Sequence, residues 1–81
     1  MIDRQKFYTI LNQVTQQRRL QDSPDVNLYQ TRILDDLKTV QLIYAFNNQL
    51  GLDISANDYD EKLWQTPNKI LNQLEILSQT K

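Results

Sequence analysis

Asp35-Asp36-Leu37-Lys38-Thr39-Val40-Gln41-Leu42-Ile43-Tyr44-Ala45-Phe46-Asn47-Asn48-Gln49-Leu50-Gly51 is the stretch that decides the fold. Positions Leu37, Val40, Ile43 or Tyr44, Phe46 or Asn47, and Leu50 recur at the three-to-four-residue interval of an amphipathic α-helix. Two acids open the run, where the positive end of the helix dipole favours negative charge. Gly51 is a natural stop, because the residue after a helix often turns left-handed. The pattern predicts a helix from Asp35 to about Leu50, with Tyr44 and Phe46 filling a core.

The flanks extend the helical reading. Upstream, Phe7, Ile10, Leu11 and Val14 form one face and Gln13, Gln16, Gln17 and Arg18 the other, which predicts a helix over about residues 3 to 18. Between Leu20 and Leu34 the periodicity fails, and Asp22-Ser23-Pro24-Asp25 is a turn cluster. A long first loop results, pinned by Val26, Leu28 and Ile33. Downstream, Ser55 with Asp58 three residues on is a variant capping box and predicts a short helix over Ala56 to Leu63. Thr66 as N-cap, Pro67 at the first helical position, and Ile70, Leu71, Leu74 and Leu77 on one face predict the last helix. Trp64 is placed beneath the loop that precedes it.

Composition narrows the chemistry. Eighty-one residues suit one domain, residues 1 to 81, with a modest core. Cysteine and histidine are absent, which removes disulfides, thiolate and imidazole metal sites, and Cys or His nucleophiles. Asp35 and Asp36 are adjacent, so on a helix their side chains diverge by about 100° and cannot share a proton as a catalytic pair. The chain reads as a non-enzyme.

Asp53, Asp58, Asp60 and Glu61 lack the alternating ligands and central glycine of a calcium loop, so no metal is expected. Arg4, Lys6, Arg18 and Arg19 come without a groove-reading motif, so no nucleic acid is expected; Arg18 and Arg19 suit a helix C-terminus. The formal net charge is −1, but residues 21 to 61 carry eight acids against Arg32 and Lys38. That acidic middle can orient a basic partner or remain simply solvated. No run approaches the roughly 20 apolar residues of a membrane span, and no apolar signal core follows Met1 to Lys6, so a cytoplasmic chain without membrane insertion is expected.

The segment Asn27 to Leu42, with Ile33-Leu34-Asp35-Asp36-Leu37-Lys38 at its centre, resembles the D-alanyl carrier proteins of teichoic acid D-alanylation, a branch of the acyl carrier family. Asn48-Gln49-Leu50-Gly51-Leu52-Asp53 is similar too. So, more specifically, is Tyr59-Asp60-Glu61-Lys62-Leu63-Trp64-Gln65-Thr66-Pro67-Asn68-Lys69-Ile70. The similarity runs from about Asn27 to Leu77, while the first helix matches in pattern only. It implies an all-α, acyl-carrier-like four-helix bundle with three long helices, one short helix and a long first loop. It also implies a monomer that meets a cytosolic D-alanine ligase and a membrane D-alanyl acyltransferase.

In that family an Asp-Ser-Leu or Asp-Ser-Met triplet opens the second helix, and its serine carries 4'-phosphopantetheine. Here the triplet reads Asp35-Asp36-Leu37, and a carboxylate cannot hold that group in a stable linkage. Ser23, Ser55 and Ser78 lack the triplet context, so no phosphopantetheine is expected. Lys38, where a small residue is more usual, is a second departure.

Asp36 can be read as half of a stable helix start, or as an imitation in charge of the phosphate on a loaded serine. By resemblance the partner surface comprises Asp35, Asp36, Leu37, Lys38, Val40 and Gln41; Leu37 also suits a core. The leading expectation is a carrier-like protein that binds pathway partners without being loaded. The alternatives are a genuine carrier locked in the apo form by loss of its serine, and a generic helical interaction module.

Overall fold

The computed structural model describes residues 2–55 and 59–79. Helix α1 spans Arg4–Thr15, α2 spans Asp36–Leu50 and α3 spans Pro67–Gln79; 3-10 turns occupy Leu20–Asp22 and Glu61–Leu63. No strand occurs among the described residues. The all-α class therefore holds, with three α-helices rather than four among those residues. Ala56, Asn57 and Asp58, where the short helix was expected to begin, lie outside them. Its far end is a single 3-10 turn, with the Asp60 carboxylate accepting from Lys62 N at 3.0 Å.

Helix α1 starts on Asp3, whose carboxylate accepts from Gln5 N at 3.0 Å and Lys6 N at 3.2 Å, two of the donors a helix start leaves unpaired. It ends sooner than residue 18. Gln16 turns left-handed at φ 59°; Gln17 N then donates to Asn12 O at 2.9 Å and Gln16 N to Gln13 O at 3.4 Å, the two bonds of a Schellman stop. No glycine marks the site, which is why the pattern overran it. Arg18 and Arg19 consequently lie beyond the helix, exposed, with Arg19 Nε 3.3 Å from Asp22 Oδ2.

Loop 16–35 is tied down along its length. Leu20, Leu28 and Leu34 are buried, while Val26 and Ile33 are half-buried. Asn27 Oδ1 accepts from Tyr29 N and Gln30 N. Leu28 N donates to Gln65 O at 2.6 Å, and Asn68 N to Pro24 O at 3.0 Å. The Asn68 amide also reaches Asp25 Oδ1 at 3.0 Å. Arg32 takes a left-handed conformation, φ 63°, where a side chain with a Cβ is strained.

Helix α2 packs on α1 and buries Thr39, Leu42 and Phe46, with Ile43, Asn47 and Leu50 half-buried. The inward stripe is thus offset from the one expected. Leu37, Val40 and Tyr44 are 67%, 59% and 70% exposed, and Tyr44 is not a core residue. Apolar residues occupy two faces of α2, so spacing alone could not tell which one turns inward. Gly51, at φ 66°, stops the helix, and the Asn47 amide then clamps the backbone of Ile54 with bonds of 2.9 and 2.7 Å.

Helix α3 is capped as expected, Thr66 Oγ1 accepting from Lys69 N at 3.1 Å. It buries Pro67, Ile70 and Leu74. The core is aromatic at its centre. Phe7 stacks on Phe46 at 5.6 Å, Phe46 meets Trp64 at 6.2 Å, and the edge of Tyr59 meets Trp64 at 5.5 Å. Trp64, fully buried, joins the second linker, 51–66, to α2 and, through Phe46, to Phe7 of α1, as its position before the last helix led one to expect.

Candidate functional site

The head of α2 gathers the residues singled out in the sequence, in unequal roles. Asp35 is the N-cap: its backbone is extended and its Oδ1 accepts from Lys38 N at 2.8 Å. Its carboxylate is therefore committed to holding the helix start, an effect of about 0.5–2 kcal/mol. Asp36 is the first helical residue and is exposed. No hydrogen bond or ion pair among the described residues uses its carboxylate. The first-turn amide goes to Asp35, leaving Asp36 available to something outside the fold.

Two stripes run from this head. At about 100° per residue, Leu37, Gln41 and Tyr44 fall along one line, and Asp36, Val40 and Ile43 along its neighbour. Leu37, Val40, Gln41 and Tyr44 are exposed and Lys38 is half-buried. An exposed face that presents Leu37, Val40 and Tyr44, with a carboxylate at its end, is the kind of helix face that docks into a groove. The second stripe borders a cavity of about 210 Å³ lined by Asp36, Thr39, Val40, Ile43 and Tyr59.

Beneath that cavity runs a chain of hydroxyls. Thr39 Oγ1 donates to Asp35 O at 2.7 Å. Tyr29 Oη lies 2.7 Å from Thr39 Oγ1 and 2.6 Å from Tyr59 Oη. Each hydroxyl has one proton, so the directions follow: Tyr59 donates to Tyr29, Tyr29 to Thr39, and Thr39 to the carbonyl of Asp35. The first loop, α2 and the second linker meet here. Burial lifts the Tyr59 phenol well above its ordinary range, and the hydrogen bond and charge of Tyr29 and the charge of Glu61 push the same way, against a smaller opposing effect of Thr39. Tyr59 consequently keeps its proton through neutral pH.

Tyr29, Thr39 and Tyr59 were not identified as a group from sequence. They lie 10 and 30 residues apart along the chain, and no periodicity connects them. Elsewhere, a cavity of about 530 Å³ has Arg18, Arg19, Leu20, Val26 and Ile33 in its lining and shares no residue with the head of α2. Among the described residues no three His, Cys, Asp or Glu side chains group as metal ligands, and no helix is long and apolar enough to cross a membrane.

No protein-family model matches the chain. Curated relatives do match. Over 74 residues the chain is 35% identical to a D-alanyl carrier protein of Staphylococcus xylosus, covering 91% of this chain and 95% of that one. Over 71 residues it is 31% identical to a D-alanyl carrier protein of Bacillus velezensis, covering 88% and 91%.

Proposed function

This chain belongs to the D-alanyl carrier protein family, and from that premise we propose that it serves teichoic acid D-alanylation by binding the pathway's enzymes through the exposed face of α2, without carrying 4'-phosphopantetheine. The observation that carries this reading is Asp36: a carboxylate on the first residue of α2, unengaged among the described residues, where the family triplet has its serine. A stable phosphodiester needs an alcohol, and the nearby alcohols do not fit. Thr39 is buried and hydrogen-bonded on both sides, and Tyr29 and Tyr59 are bonded to each other.

The partners in this reading are the cytosolic D-alanine ligase and the membrane D-alanyl acyltransferase. Leu37, Val40, Gln41 and Tyr44 provide the contact face, Asp36 its charged end and Asp35 the brace that fixes the helix start, with Lys38 beside it. Such a chain works in the cytoplasm as a monomer and competes for surfaces that a loaded carrier would use; it catalyses nothing.

The test is a mass measurement. Incubated with coenzyme A and a phosphopantetheinyl transferase, the wild-type chain is expected to keep its mass, while Asp36→Ser gains one phosphopantetheine. An adduct on the wild type, located by peptide mapping, overturns the reading. Retention of the ligase by the unmodified chain, lost when Leu37 and Tyr44 are replaced by serine, is the result expected for the binding half.

A further inference from the structure

The cavity beside Asp36 has a composition that specifies its occupant. Its volume, about 210 Å³, falls below the roughly 300–1,000 Å³ of pockets that enclose small molecules, which leaves room for about one side chain. Val40 and Ile43 offer aliphatic walls, and Tyr59 an aromatic one. Its side-chain polar groups are acceptors: the Thr39 proton is spent on Asp35 O and the Tyr59 proton on Tyr29, while the Asp36 carboxylate has no partner among the described residues. Glu61 adds negative charge near Tyr59. An anion would meet the Asp36 carboxylate at close range, and a neutral apolar group would leave that carboxylate unmatched.

We propose that this cavity receives one arginine side chain from a partner protein. The guanidinium fork pairs with the Asp36 carboxylate and lies against the Tyr59 ring, and the methylene stem runs along Val40 and Ile43. A lysine ammonium would supply the charge but neither the planar fork nor the stacking. Leu37 and Tyr44, on the adjoining stripe, form an apolar margin that excludes water around the pair. The inference rests on the partner-binding reading and names the chemistry of one contact within it. It depends on Asp36 being a carboxylate, so it is a property of this chain's own residues.

The probe is n-butylguanidinium chloride, titrated at tens of millimolar into the full ¹⁵N-labelled chain, with 1-butanol and sodium chloride as controls. The expected result is saturable movement of the amide signals of Asp36, Thr39, Val40, Ile43 and Tyr59 with butylguanidinium but with neither control. Asp36→Asn, which keeps the shape and removes the charge, is expected to weaken binding by about tenfold or more, or 1.4 kcal/mol, with the rest of the spectrum unchanged. Silence from the wild type, or an equal response from Asp36→Asn, overturns the proposal. Retention of the D-alanine ligase separates the two ideas. If wild type and Asp36→Asn hold it equally, the arginine contact is wrong and α2 docking survives; if the fragment binds and the ligase does not, the cavity stands and the ligase is not its partner.

Discussion

Tyr29→Phe removes the central link of the hydroxyl chain and tests whether that chain holds the head of α2. The single oxygen it deletes serves two bonds, accepting from Tyr59 and donating to Thr39. At about 0.5–1.5 kcal/mol net for each bond, the expected loss is about 1–3 kcal/mol. Tyr59→Phe deletes the outer end alone, leaves Tyr29 donating to Thr39, and should cost about 0.5–1.5 kcal/mol. The double variant should cost little more than Tyr29→Phe, because the Tyr59 hydroxyl has already lost its acceptor; the shortfall from additivity is about one hydrogen bond. Urea denaturation followed by tryptophan fluorescence reads all three, since Trp64 is the chain's single tryptophan and is fully buried. Additive losses, or a Tyr59→Phe loss larger than that of Tyr29→Phe, would refute the shared chain of hydrogen bonds.

Three further outcomes follow from the same geometry. In the unfolded chain Tyr59 titrates near the ordinary value of about 10 and in the folded chain higher, so its contribution to stability is complete below about pH 10 and falls as the pH rises above it. Tyr59→Phe should therefore show a shallower alkaline loss in urea midpoints measured from pH 9 upward, and an unchanged slope would count against the burial of the phenol. Arg32→Gly relieves a left-handed residue at φ 63° and should stabilise by roughly 0.5–1 kcal/mol after the entropy of glycine is counted, raising the thermal midpoint by about 2–8 °C in a domain of this size. Leu37→Ser with Tyr44→Ser, both on the exposed stripe, should leave the unfolding free energy within about 0.5 kcal/mol of wild type for each substitution while reducing ligase retention.

Much of this architecture was legible where a helix has one apolar face and a chemical signal at its end. The α3 start at Thr66-Pro67, the Gly51 stop and the inward face of α1, which buries Phe7, Ile10 and Leu11, all follow from such signals. Two apolar faces made α2 ambiguous, and there the offset of one residue separated Val40 and Tyr44 from the core and put Leu42 into it. The α1 stop on Gln16 was invisible because a left-handed glutamine leaves no mark in composition. At the candidate site, resemblance pointed to the head of α2, and the structure distinguishes Asp35, which braces the helix, from Asp36, which faces outward. The hydroxyl chain was beyond sequence reasoning, because Tyr29, Thr39 and Tyr59 come together only through tertiary folding.

The bonds from Leu28 N to Gln65 O and from Asn68 N to Pro24 O bear on how the molecule breathes. They stitch the first loop to the opening turn of α3, with the Asn68 and Asp25 side chains paired across 43 positions of chain. Leu28 N and Asn68 N each have their acceptor on the other segment, so separating the segments frees both amides. In hydrogen exchange the Leu28 and Asn68 amides should belong to one cooperative opening unit, with matching free energies despite their distance in sequence. A loop that would ordinarily fray alone is thereby given the protection of a helix, and the segment leading into α2 shares in the same closure.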